Sequence, residues 1–153
     1  MENLLAIKKA LYQLCVKSVE EKIEITREAI KSADEAAIHE DKNSMADKYE
    51  TGKAMLDLEK EKLETQLAST VMLKKHLSKI NPSEEEETTA FGSLVITNQG
   101  RYFFSVGLGT LKYENQDYFV ISLISPIGKA LEGKKVGETV VFQNKKFTIE
   151  GIA

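Results

Sequence analysis

Between residues 34 and 50 the chain concentrates its most chemically suggestive side chains. Six carboxylates (Asp34, Glu35, Glu40, Asp41, Asp47 and Glu50) stand there beside two lysines, Lys42 and Lys48. Carboxylate oxygens are hard donors, suited to a Mg²⁺ ion that a partner would mainly hold. The blander reading is that charges gather where a packed pair of helices ends and solvent begins. The chain also has one thiol, Cys15, and two imidazoles, His39 and His76. A thiol site needs a base within hydrogen-bond reach. On a straight helix, however, His39 would lie roughly 36 Å from Cys15. A lone cysteine builds neither a disulfide nor a cysteine-based zinc site within one chain, and on an apolar stripe it reads as a small hydrophobe.

The elements that must position these residues are helical. Apolar or small residues recur at Leu4, Ile7, Leu11, Cys15, Val19, Ile23, Thr26, Ile30, Ala33 and Ala37. Steps of three and four are the mark of one helical face. A second stripe runs through Met45, Tyr49, Gly52, Leu56, Leu63, Leu67, Thr70, Leu73 and Leu77, lapsing at Glu59 and Lys60. The break between stripes falls at residues 39–44, where Asn43 or Ser44 can cap the second helix with Asp47 in its first turn. So short a connection makes the two helices antiparallel neighbours. Arms of about 35 residues would each be roughly 50 Å long, with the acidic stretch at the tip.

Past the helices the pattern changes. Asn81-Pro-Ser-Glu-Glu-Glu-Glu-Thr-Thr89 ends the helical period at Pro82, and its run of glutamates reads as a solvated linker. Short runs rich in β-branched and aromatic residues follow at 91–97, 102–106, 110–113, 118–123, 139–143 and 146–152. Asn98-Gln-Gly100, Glu114-Asn-Gln-Asp117 and Asn144 supply turns. This predicts a sheet of five or six mostly antiparallel strands. One short helix is expected at 126–131, with Pro126 at a first helical position and Gly133 as its stop. Gly107 and Gly109 lie between strands and not before a helix, so they read as a bulge or bend and not as a phosphate loop. The fold class is therefore α+β, with a helical hairpin at 1–80, an acidic linker at 81–89 and a β-rich domain at 90–153.

Composition narrows the partners. The 153 residues carry a formal charge of −3. Divided at Asn81, 14 Lys/Arg stand against 15 Asp/Glu in the first part and 7 against 9 in the second. Neither part has the basic footprint of a duplex-DNA binder, so a protein partner is expected. No run approaches the roughly 20 apolar residues of a membrane span, and the N-terminus lacks a signal-peptide pattern. With the single cysteine, these features lead to the expectation of a soluble, cytoplasmic protein.

Ser125-Pro-Ile-Gly-Lys-Ala-Leu131 followed by Gly133-Lys-Lys-Val-Gly137, downstream of a long helical hairpin, resembles the Gre family of bacterial transcript-cleavage factors. The resemblance implies an FKBP-like C-terminal domain, docking on the rim of the RNA polymerase secondary channel through Ser125, Pro126, Ile127, Gly128 and Lys129. It also implies an antiparallel coiled-coil hairpin reaching down that channel. Such a protein has no catalytic residue of its own and binds no cofactor tightly. Its tip acids help the polymerase hold Mg²⁺ while backtracked RNA is hydrolysed. Aligned on the family's tip, Asp41 and Ala46 match and Asp47 replaces an acid with an acid. Ser44 stands where the family's second carboxylate lies. The resemblance carries the metal-sharing role to Asp41, and Glu40 or Asp47 are the acids that would compensate for Ser44 in a rearranged loop. Alternatives are a channel-occupying regulator without cleavage activity, a coiled-coil adaptor, and a prolyl isomerase. The last would need a concave aromatic pocket in a chain that has no Trp.

Overall fold

The structure is a computed structural model that describes the backbone of residues 2–43 and 46–153 and the side chains of residues 2–38 and 52–153. Two helices come first, α1 (Leu4–Asn43) and α2 (Ala46–Leu77). Then follow β1 (Leu94–Thr97), β2 (Arg101–Phe104), β3 (Gly109–Tyr113), β4 (Gln116–Ile121), α3 (Pro126–Leu131), β5 (Thr139–Phe142) and β6 (Lys145–Ile152). The chain divides into two compact units. One joins residues 1–17 to 75–153, and the other is Ser18–Lys74.

In the Ser18–Lys74 unit the stripes hold. Val19, Ile23, Thr26 and Thr70 are buried. The two threonines are accommodated because each hydroxyl donates to a carbonyl one turn back, Thr26 to Lys22 at 2.8 Å and Thr70 to Gln66 at 2.9 Å. Lys60, where the second stripe lapses, reaches across to Asp34 at 2.8 Å, and Lys74 meets Glu20 at 3.6 Å. As the partner on α1 moves back from 34 to 20, the partner on α2 advances from 60 to 74. That is the register of antiparallel helices. At the lapse, therefore, an exposed ion pair crosses between the helices.

Helix α1 continues to Asn43, so residues 39–43, expected in the connection, are helical. The reason is that no Gly or Pro interrupts this stretch. A fading apolar period shows where a helix stops burying a face, not where it ends. Asn43 consequently closes α1 and does not cap α2. Ser44 lies outside the described residues.

In the other unit the six strands form one sheet in the order β3-β4-β2-β1-β6-β5. Every pairing is antiparallel except β2 with β4. After β2 the chain bends through residues 105–108, skips one position and returns by a hairpin. Gly109, at φ +84°, opens β3 just past this bend, as the Gly-rich spacing predicts. The β3–β4 and β5–β6 hairpins each turn on two residues of positive φ, Glu114-Asn115 and Gln143-Asn144. These are I′-type turns, whose twist matches that of the strands. Gln116 and Asp117, expected in a longer turn, therefore pair within β4.

Alternation along the strands gives the sheet two buried faces. On one, Val95, Phe104, Phe147 and Ile149 gather around Leu131 of α3. On the other lie Leu94, Phe103, Tyr118 and Val120, all buried. The helix bases meet this side. A Cβ on Gly151 would lie 2.7 Å from Leu4 Cδ1, and one on Gly92 would lie 3.2 Å from Ile80. At the margin Arg101 holds the Glu2 carboxylate through two bonds, 2.6 and 2.9 Å, and also donates to the Tyr118 hydroxyl at 2.9 Å. The Arg101 bond keeps the Glu2 carboxyl below its usual range.

Candidate functional site

The motif that begins at Ser125 forms α3 over the expected residues. Ser125 is the N-cap, and its Oγ accepts from the Gly128 amide at 3.2 Å. Pro126 follows at the first helical position, where a missing N–H costs nothing. Gly128 has a stricter reason. A Cβ there would sit 2.3 Å from the Leu123 carbonyl oxygen, so only glycine lets α3 fold back on the end of β4. Leu131 is fully buried in the core, the Glu132 amide donates to the Gly128 carbonyl at 2.8 Å, and Gly133 at φ +78° ends the helix.

Most of the segment is thus occupied with building α3. Of the five residues expected to dock on a partner, Pro126 and Lys129 are exposed, and Ser125 and Ile127 are half-buried. Ile127 packs against the sheet core and Gly128 is buried. Beside the helix, Ile124 is 77 % exposed, and Val136, in the following loop, is exposed as well. Exposed side chains of this stretch thus include Ile124, Pro126, Lys129 and Val136. With its Oγ engaged by the cap, Ser125 has the geometry of a structural residue.

Cys15 is completely buried, and burial pushes its thiol up to about 12, against a smaller lowering by Ser105. The buried Ser105 hydroxyl has no hydrogen-bond partner among the described residues. The thiol remains protonated and acts as a small apolar group. Of the phenylalanines, Phe103 and Phe104 are fully buried, whereas Phe91 and Phe119 are partly exposed. Phe119 lies against Tyr102 with ring centroids 5.4 Å apart. Among the described residues no three of His, Cys, Asp and Glu form a metal-holding group. Glu40, Asp41 and Asp47 lie outside the residues whose side chains are described. Among the described residues, no helix is long and apolar enough to cross a membrane.

Sequence reasoning missed Lys8. It stands four residues after Leu4 and three before Leu11, which is stripe spacing, and it is buried. That spacing was a signal, masked by the expectation that lysine lies outside.

Residues 106–153, from the bend after β2 to the last residue, match the model of the family described as "Transcription elongation factor, GreA/GreB, C-term". The C-terminal domain belongs to the Gre family. The match takes in β3, β4, α3, β5 and β6, so it includes the Ser125 cap, the Gly128 close approach and the Gly133 stop. Neither a curated protein nor a solved structure matches the chain. A Gre-type domain is a transcription-factor module, and it implies RNA polymerase as the partner in general terms.

Proposed function

We propose that this protein binds bacterial RNA polymerase through its Gre-type domain and modulates elongation from within the secondary channel. The observation that carries this reading is the family match over residues 106–153, joined in one chain to helices of 40 and 32 residues. In this reading Pro126, Lys129 and the neighbouring Ile124 face the channel rim, while Ser125, Ile127 and Gly128 hold α3 in place beneath them. The hairpin tip carries the finer activity. Glu40, Asp41 and Asp47 are hard oxygen donors, the donor class Mg²⁺ prefers, and would share an ion held mainly by the polymerase. The protein then contributes positioning and charge, and the polymerase performs the hydrolysis.

Ser44 favours a second reading. A neutral hydroxyl is a weaker Mg²⁺ ligand than a carboxylate, so the protein would occupy the channel and alter pausing or initiation without promoting cleavage. Purified protein added to stalled, backtracked elongation complexes separates the two. Shortened RNA that disappears with Asp41→Asn supports assisted cleavage. Binding without RNA shortening supports the channel-occupying reading, and absence of binding overturns both.

A further inference from the structure

The acidic segment after α2 is anchored at both ends. Lys8 of α1 is only 1 % exposed, and its ammonium donates to the Glu84 carbonyl at 2.6 Å. Burial lowers its pKa, with Glu86, Glu84 and Glu85 opposing that shift. At the segment's other end Thr88 bridges to Lys135, the Thr89 amide donates to the Lys134 carbonyl at 2.9 Å, and the Gly133 amide donates back to the Thr89 carbonyl at 2.8 Å. Near its start, Asn81 accepts from the Ser83 amide through its side chain and from the Glu84 amide through its carbonyl, both at 3.1 Å. A run of glutamates would be expected to wander in solvent. Here the backbone is stitched, first to the base of α1 and then to the loop that follows α3.

A buried ammonium is a poor source of net stability, because desolvation offsets what its partners return. What it supplies is an address. An apolar side chain could fill the same volume in the α1 seam, but it could not select one carbonyl 76 residues away. We infer that Lys8 is an internal latch for segment 83–89, and that through this segment it orders the loop 133–137 that flanks α3. The latch couples the first turns of α1 to the margin of the motif, and it does so whether or not the polymerase reading holds.

Amide hydrogen exchange on the full-length protein tests it, comparing wild type with Lys8→Met, which keeps the length and removes the charge. The Thr89 and Gly133 amides are expected to exchange about tenfold faster or more in the variant, the scale of a lost hydrogen bond from a charged donor. The Leu94 amide, which donates to Ala153 in the sheet, is the control and is expected to stay within about twofold. Unchanged exchange at Thr89 and Gly133 overturns the latch. Equal acceleration at Leu94 overturns it too, since Lys8 would then support the whole unit. Should Lys8→Met not fold, the surface variant Glu84→Gln/Glu85→Gln/Glu86→Gln removes the field around the ammonium. It is expected to accelerate the same two amides to a smaller degree, and no acceleration there counts against the proposal.

Discussion

Thr70 and Thr89 are both almost completely buried, one in each compact unit, and they satisfy their hydroxyls in opposite ways. Thr70 donates to a carbonyl four residues back on its own helix, and Thr89 to the carbonyl of Lys134. The same contrast runs through the two units. In Ser18–Lys74, polar groups are served within a turn or by exposed ion pairs such as Lys60–Asp34, and a repeating apolar seam does the rest. In residues 1–17 and 75–153, single groups hold distant segments: Arg101 to Glu2, Lys8 to Glu84, Thr89 to Lys134. Periodic packing spreads the consequences of a substitution. Specific long-range stitches concentrate them.

The sharpest way to break that comparison is at Gly128. Gly128→Ala forces a methyl against the Leu123 carbonyl and is expected to cost about 3 kcal/mol of stability, read as a shifted denaturant midpoint. Ser125→Ala removes only the cap of α3 and should cost about 1 kcal/mol in the same measurement. An equal cost for the two would mean that the close approach at Gly128 is relieved by movement of α3.

A smaller effect should appear with pH. Burial lowers the Lys8 pKa below its ordinary 10.5. Between the lowered value and 10.5 the unfolded chain therefore binds more protons than the folded one, and the Lys8 contribution to stability rises with pH across that window. Other alkaline groups titrate there as well, so the readout is the difference between wild type and Lys8→Met in chemical denaturation. The wild-type curve should gain on the variant as pH rises, and a loss would reverse the sign of the argument. Smallest of all, Lys60→Ala removes an exposed pair, and at physiological salt its thermal midpoint should be indistinguishable from wild type. A larger loss than that of Ser125→Ala would overturn the contrast between the units.

What the sequence disclosed follows the same division. Helix α3 was legible to the residue because Pro126 and Gly133 are local signals for a first turn and a stop. The seam of the helices was legible because periodicity is local too. The parallel pairing of β2 with β4 was not, since a bend and a hairpin read alike until the skipped strand position is known. The burial of Lys8 escaped for a similar reason. Long cationic side chains usually carry their heads to water, and nothing near Lys8 in the sequence announces that the Glu84 carbonyl will accept its hydrogen bond. The glutamate run read as a free linker because side-chain charge says little about whether a backbone carbonyl is held.

Titration of the full-length protein into RNA polymerase halted on a backtracked transcript tests the central claim most directly. The account predicts saturable binding that is lost in Gly128→Ala, which disturbs α3, and retained in Asp41→Ala at the hairpin tip. No binding, or binding that depends on Asp41 and ignores Gly128, would contradict it.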